Sequence, residues 1–429
     1  MNTEITCFYK LLSYALHPNH SDMITQTQKE QIRQKLPDLL QLARQHNVSL
    51  FVYDALCQCD IDDPLLQETT FQREMLFECY HNYDMLFFAK KILALLEEHS
   101  VSYCLLKGVS LLANYPKPEC RSASDIDILV SDPKEYTRTR DLLLSYGFCV
   151  ANGTTDHHEE LLYYENDKTY LLELHNKLIN NSGNVRDETI KALFKQTIPI
   201  KKKLSFAALS YQCLNTEQNL LYLLLHMLQH FTSLGFGAKL LCDWTIFLEH
   251  HAHEIDFMAF QTMLEDLGLV PFCEVMTELC IRYLGLPREI LEKNHCTFLA
   301  ATIDPALLQR VLDDIHTAGE FGKENHTRVL IAHQNNFSST IAQGHRQMKI
   351  YFPKLSHCFL FWPVLSFLCP SFCLPSFWPV LWSITLYRFL CNNRRLRKID
   401  TKTILENTRQ RQELFKALSL DSDAKRKEN

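Results

Sequence analysis

The sequence predicts an α+β fold in which a small mixed β-sheet is flanked by helical regions on both sides. Three observations support this prediction. Residues 1–100 show helical apolar spacing and contain no glycine. Short apolar runs of strand length are concentrated between residues 101 and 178. Helical spacing returns near residue 204 and continues through several further segments.

These patterns divide the chain of 429 residues into five expected regions. A helical N-terminal region over 1–100 precedes an α+β core over 101–200, and a helical domain follows over 204–347. A segment rich in apolar, proline and aromatic residues covers 348–398, and a charged helical tail covers 399–429. A chain of this length is long enough for two or three domains with a substantial core.

Several helices have recognisable limits. A helical pattern over 25–45 contains Pro37, where we expect a break because proline lacks the N–H that a helix interior needs. Two adjoining helical segments cover 64–85 and 85–98. Asn215 is well placed to cap the apolar helix that follows it.

The most informative feature for function is the run 121–130, which reads RSASDIDILV. On a strand, Asp125 and Asp127 project from one face, and Ile126 and Ile128 project from the other. Two neighbouring carboxylates repel each other unless a cation lies between them, and Mg²⁺ prefers such hard oxygen ligands. A solvent-exposed strand end or a helix cap explains the spacing alone about equally well.

The upstream flank favours the metal interpretation. The apolar run 101–106 predicts a strand that ends at Lys107-Gly108, and 109–115 has helical character. A strand, a glycine turn and a helix N-terminus form an arrangement in which backbone N–H groups and a lysine can meet phosphates.

The downstream flank supplies a third acid. Residues 133–147 predict a helix that Gly147 ends. The later apolar strand over 170–175 contains Glu173 between apolar residues. Glu173 could complete a set of three acids around two metal ions, as used in phosphoryl transfer.

With these segments the chain resembles a known family, the uncharacterised nucleotidyltransferases of the polymerase-β-like superfamily. The resemblance covers roughly residues 80–390. Its motifs are Leu106-Lys107-Gly108, Arg121, Asp125 to Val130, Leu172-Glu173-Leu174-His175, the helix Leu220 to His230, and Cys242-Asp243-Trp244. Where most nucleotidyltransferases have a Gly-Ser pair after the first strand, this chain has Lys107-Gly108, and the serine follows at Ser110.

The resemblance implies metal-dependent transfer of an NMP from an NTP, such as ATP, to a hydroxyl acceptor. In the implied chemistry Asp125, Asp127 and Glu173 are catalytic and hold two Mg²⁺ (or Mn²⁺) ions. His175, two residues after Glu173, would orient that carboxylate or touch the substrate, although a core histidine is almost equally consistent with its position.

The resemblance also implies a set of phosphate-binding residues. Lys107, the Gly108 turn and Arg121 would neutralise the triphosphate. Ser110 and Ser124 could bind phosphate, although helix capping explains each of them as well. For Arg121 the alternative is an ordinary surface arginine.

Other histidines are weaker candidates. His226 and His230 have the i, i+4 spacing of metal ligands, but the glutamate that a zincin needs after the first histidine is missing. Hydrogen-bonded helix histidines are the favoured interpretation. His157 and His158 are expected on the surface or at the rim of the pocket.

Composition limits the partners and the compartment. The formal net charge of −6 argues against nucleic acid as a partner. The acceptor is therefore expected to be a small molecule, a glycan or a protein. The 16 cysteines include no Cys-x-x-Cys pair, and free thiols favour a cytoplasmic location. Residues 1–10 lack the apolar stretch of a secretory signal.

The segment 358–387 has 30 residues without a charge or a histidine, and it contains four prolines. Basic residues on both sides indicate a hairpin or interfacial helix peripheral to the inner face of the membrane. An apolar arm buried in the fold, or against a second copy, is the alternative. Two other functions remain open: a nucleotide-binding regulatory module with weak catalysis, and a membrane-peripheral protein of glycan or peptide biosynthesis.

Overall fold

The structure is a computed structural model that describes residues 3–18, 24–151, 157–178, 185–194, 197, 199–204, 207–299, 302–319, 387 and 401–420. Its α+β architecture agrees with the predicted fold class. The helices before the sheet are α1 (Thr3–Leu16), α2 (Gln26–Gln34), α3 (Leu36–Gln45), α4 (Ser49–Gln58), α5 (Pro64–Gln67) and α6 (Thr69–Glu98). The helices within or after it are α7 (Pro133–Ser145), α8 (Val185–Phe194), α9 (Thr216–Thr232), α10 (Ala238–His251), α11 (Phe257–Leu267), α12 (Val270–Leu284), α13 (Arg288–Lys293) and α14 (Pro305–Ala318), followed by the helix Thr401–Ala417.

The strands form a five-stranded mixed sheet and a separate two-stranded hairpin. The sheet has the order β1-β2-β5-β4-β3, in which β2 and β5 are parallel and the other pairs are antiparallel. The strands are β1 (Cys104–Leu105), β2 (Ile126–Leu129), β3 (Cys149–Val150), β4 (His158–Glu165), β5 (Lys168–His175), β6 (Ile200–Leu204) and β7 (Leu209–Cys213). The parallel pair lies at the centre of the sheet, where both faces are covered.

The sheet separates two apolar cores. On one face Ile126 and Ile128 pack with side chains of α6 and α7. On the other face Leu129 joins a larger core that is built mainly from helices. Because side chains alternate along a strand, Asp127 faces the helical side together with Leu129. The apolar pattern of β2 therefore determines which way the acid points.

Most of the predicted elements are present, with local differences. The helical pattern over 25–45 is divided between α2 and α3, and Pro37 lies in the first turn of α3, where its missing N–H costs little. Asn215 caps α9 as predicted and accepts a hydrogen bond from the backbone N–H of Gln218. The residues after Lys107 form a short 3-10 helix, Gly108–Asn114, instead of an α-helix.

The helix Thr401–Ala417 belongs to the helical core. Leu414, Phe415 and Leu418 are buried, and the ring of Phe415 lies 5.7 Å from that of Phe231 in α9. Buried Arg411 donates a hydrogen bond to the carbonyl of Phe231. This part of the predicted charged tail therefore has an apolar face that is packed against α9.

The predicted apolar segment 358–387 lies outside the described residues, except for Tyr387. Within the part of the chain that the structure describes, none of the helices has the length and apolar character that a transmembrane span needs.

Candidate active site

A pocket lined by many charged side chains lies between the helical side of the sheet and the helices α9 and α10. The sheet and the loops at its edge contribute Lys107, Asp125, His157, His158, Glu173 and His175. The opposite side, called here the helical wall, consists of Tyr222, His226, Gln229, His230 and Lys239. Acidic groups on one side thus face histidines and a lysine on the other.

Two of the predicted acids are placed by the parallel strand pair. Asp127 of β2 is in register with Glu173 of β5, so both side chains project from the same face at the same level. Asp127 is only 1% exposed. Its Oδ1 atom lies 3.1 Å from His175 Nε2 and 3.2 Å from Lys107 Nζ. Its Oδ2 atom is buried without a hydrogen-bond partner among the described residues.

The cation between the two aspartates is the ammonium group of Lys107. Lys107 Nζ lies 3.4 Å from Asp125 Oδ2 and 3.2 Å from Asp127 Oδ1. Burial alone would lower the pKa of Lys107, but the charges of Asp125 and Asp127 raise it well above its usual value. Lys107 has a φ of +23°, a conformation that is unusual for a side-chain-bearing residue. The backbone is thus held in a strained turn that points this amine into the pocket.

Glu173 is held by His175, its neighbour on the same face of β5. His175 Nε2 lies 3.3 Å from Glu173 Oε2. Burial would raise the pKa of Glu173, but the hydrogen bond from His175 and the charge of Lys107 lower it to about 2. Burial would lower the pKa of His175, but hydrogen bonds to Asp127 and Glu173 raise it. His175 therefore connects the two carboxylates and helps to keep Glu173 ionised.

Arg121 is committed to a buried ion pair, which differs from the triphosphate role expected for it. Its Nε and Nη2 atoms donate to Asp243 Oδ1 and Oδ2 at 3.0 and 2.8 Å, and both side chains are buried. The hydroxyl of Tyr115 donates to the same Asp243 at 2.6 Å. Arg121 borders the pocket, but its fork-like hydrogen bonding fixes the loop before β2 onto α10.

The two predicted serines lie in different environments. Ser124 lines the pocket, and its hydroxyl donates to Asp125 Oδ1 at 3.3 Å. Ser110 is buried, does not line this pocket, and its Oγ has no hydrogen-bond partner within the described ranges. The expected phosphate contact of Ser110 is thus not supported by its position. Gly108 lines the pocket with a φ of +49°, which favours glycine there.

The helical wall was not identified from the sequence. His226 Nε2 lies 3.0 Å from His230 Nε2, as expected for hydrogen-bonded helix histidines, but both residues also line the pocket. Burial, together with the positive charge of Lys107, holds the pKa of His226 well below its usual value. The i, i+4 spacing was visible in the sequence, but the packing of α9 against the sheet face was not.

The donor set fits a divalent cation. Asp127, Glu173 and His175 each offer a ligand atom, and these atoms lie within 4.8 Å of one another. The unpartnered Asp127 Oδ2 is a buried carboxylate oxygen, and such an atom is costly unless a cation or a donor meets it. Asp125 is connected to this group through Lys107.

The family model of the uncharacterised nucleotidyltransferases matches residues 33–285, more than half of the chain, so the protein belongs to this family. The enzyme class that the family defines is nucleotidyltransferase. The match includes the whole sheet and the helical wall. The resemblance was expected over roughly residues 80–390, whereas the match begins before residue 80 and ends well before residue 390. No curated protein matches the chain.

Among solved structures, the nucleotidyltransferase toxin MenT4 from Mycobacterium tuberculosis is similar to this chain. The alignment covers 58% of this chain and 85% of MenT4, with 14% sequence identity and a TM-score of 0.29.

Proposed function

We propose that this pocket transfers an NMP from an NTP, such as ATP, to a hydroxyl group of a small molecule, glycan or protein. The observation that carries the proposal is the side-by-side placement of Asp127 and Glu173 on parallel strands, beside Asp125 and Lys107, in a chain of the nucleotidyltransferase family. Nucleic acid is disfavoured as acceptor because the net charge is −6.

In this proposal Asp125, Asp127 and Glu173 hold Mg²⁺ or Mn²⁺. The bound ion would neutralise phosphate charge and favour ionisation of the acceptor hydroxyl. The protein's own contribution is to hold the three carboxylates close together and to keep Glu173 ionised. Lys107 and His175 do so, because Lys107 forms an ion pair with Asp127, His175 hydrogen-bonds to Asp127, and both lower the pKa of Glu173.

Lys107 has a second role in the proposal. Its ammonium lies between Asp125 and Asp127 at distances of 3.4 and 3.2 Å. Four single bonds in its side chain allow this group to turn from the aspartates to the phosphates of an arriving nucleotide. Gly108 keeps the adjacent backbone free of side-chain atoms, and Ser124 orients Asp125. Arg121 acts through Asp243 as a positioning residue.

The experiment is incubation of the purified chain with each α-labelled NTP, Mg²⁺ or Mn²⁺, and host lysate. We expect label to move to an acceptor with the wild-type chain and not with Asp125→Asn. Asp141→Asn is the matched control, because Asp141 is an exposed aspartate of α7 outside the pocket. Equal label transfer by wild type and Asp125→Asn would overturn the proposed function.

One observation favours a second function, nucleotide binding with weak turnover. Ser110, the serine nearest the position of the usual Gly-Ser pair, is buried away from the pocket. Nucleotide binding that depends on Asp125, without label transfer to any acceptor in the lysate, would select this function.

A further inference from the structure

We propose that His157, His158 and His175 form a second metal site, which takes Zn²⁺ or another transition-metal ion of similar softness. The site lies at the edge of the pocket, beside the proposed carboxylate site. It goes beyond nucleotidyl transfer because imidazole nitrogens select a different class of ion from the one that carboxylates select.

The three imidazoles are brought together by strand pairing. His158 of β4 and His175 of β5 are directly opposite each other in the antiparallel register, with ring centroids 5.1 Å apart. His157 immediately precedes β4, and its carbonyl accepts a hydrogen bond from the backbone N–H of Asn176 at 3.0 Å. The ring of His157 lies 4.3 Å from that of His158 and 5.5 Å from that of His175. Strand pairing therefore brings the backbones of all three histidines to the same edge of the sheet.

The three rings are close enough together for one ion to contact a nitrogen of each. One ring nitrogen from each histidine lies within 4.8 Å of the other two. His157 Nε2 and His158 Nδ1 are already 2.9 Å apart. An ion bound between the rings would replace this contact, since zinc binds histidine nitrogen at about 2.0–2.1 Å.

His175 provides an independent indication of a ligand. Its Nε2 faces Asp127 Oδ1 and Glu173 Oε2, so Nε2 carries an N–H, and loss of the Nδ1 proton on metal binding would leave the Nδ1 lone pair for the ion. His175 Nδ1 is buried and has no hydrogen-bond partner in the part of the chain that the structure describes. A histidine that donates one N–H to a carboxylate and offers its other nitrogen to a metal is the usual arrangement in zinc sites.

The geometry makes the two sites compatible. The proposed ion uses the Nδ1 side of His175, whereas the carboxylates use the Nε2 side. Zn²⁺ bound by the three histidines would therefore strengthen the positioning of Asp127 and Glu173 without taking a carboxylate away from Mg²⁺.

The test uses the untagged full chain, freed of metal by a chelator, with ZnCl₂ titrated by calorimetry. We expect binding of one Zn²⁺ by the wild-type chain and at least about a tenfold loss of affinity in His157→Ala and in His158→Ala. His253→Ala is the matched control, because His253 is an exposed histidine outside the pocket. Its affinity should equal that of the wild type.

Two further measurements keep the outcome clear. Circular dichroism in chelator should give the same spectrum for His157→Ala and wild type, and Co²⁺ should give a visible spectrum in the wild type that this variant lacks. Asp125→Asn should keep Zn²⁺ binding even if nucleotide transfer fails, so the two proposals can fail separately. Absence of Zn²⁺ binding, or equal binding by wild type and His157→Ala, would overturn the proposal.

Discussion

Asp127 and Glu173 are directly paired residues on the parallel strands β2 and β5, and His175 Nε2 lies 3.1 Å from the first carboxylate and 3.3 Å from the second. This relationship brings Asp127 and His175, which are 48 positions apart in the sequence, into one acidic cluster with Glu173. Lys107 Nζ lies 3.2 Å from the same oxygen of Asp127 and adds a positive charge to this cluster.

Asp127→Asn should abolish Mg²⁺-dependent nucleotide binding and also lower stability in the absence of metal. Repulsion between Asp125 and Asp127 alone would suggest a more stable variant, but Lys107 and His175 already neutralise Asp127. Removing the charge leaves Lys107 and His175 without a negatively charged partner at this position. The free energy of unfolding should therefore fall by a value on the order of 2 kcal/mol. Urea unfolding without metal measures the effect, with Asp141→Asn as control. Higher stability of Asp127→Asn would contradict the charge balance described here.

Arg121→Lys should destabilise the fold far more than the same change at Arg44. Both arginines bind a carboxylate through two nitrogens, but the Arg121–Asp243 pair is buried and the Arg44–Glu74 pair is largely exposed. Lysine cannot form the two-pronged contact, so Arg121→Lys should cost about 3 kcal/mol. Arg44→Lys should cost roughly 0–1 kcal/mol. Equal unfolding midpoints for the two variants would show that the buried pair does not fix the loop before β2.

Ser110→Ala and Ser124→Ala should have different consequences for nucleotide binding. The Ser110 hydroxyl is buried outside the pocket, so its removal should leave binding unchanged and stability equal or slightly higher. The Ser124 hydroxyl contacts Asp125, so its removal should weaken binding by a few-fold. Fluorescent nucleotide titration separates the two variants. Weaker nucleotide binding by Ser110→Ala would support the phosphate contact that the sequence analysis considered for Ser110.

Phe415→Ala should destabilise the chain by about 3–5 kcal/mol, because a buried aromatic side chain is lost from the helical core. Phe77→Ala is the matched control, since Phe77 is 76% exposed and its removal should change stability little. Thermal unfolding compares the two. The same packing predicts that a chain ending near residue 347 loses stability, because that truncation removes the helix Thr401–Ala417 from the helical core. A truncated chain with the same melting temperature as the wild type would contradict this prediction.

The sequence by itself determined the local elements of the site. The alternation of Ile126 and Ile128 with Asp125 and Asp127 fixed β2 and its acidic face, because side chains on a strand have a period of two. Asn215 marked the start of α9, because its side chain caps a backbone N–H three residues away. The apolar run over 170–175 likewise indicated the strand that carries Glu173, whose metal role stays a prediction.

Only the tertiary structure decided which groups meet across long stretches of sequence. Arg121 pairs with Asp243, 122 residues away, instead of remaining available for phosphate. Lys107 is the cation between the aspartates, and His157 and His158 reach His175 through the register of β4 and β5. Such contacts depend on strand register and helix packing, which bring distant segments together. Residue spacing within one segment carries no information about them, so the sequence showed the acids and the fold decided their partners.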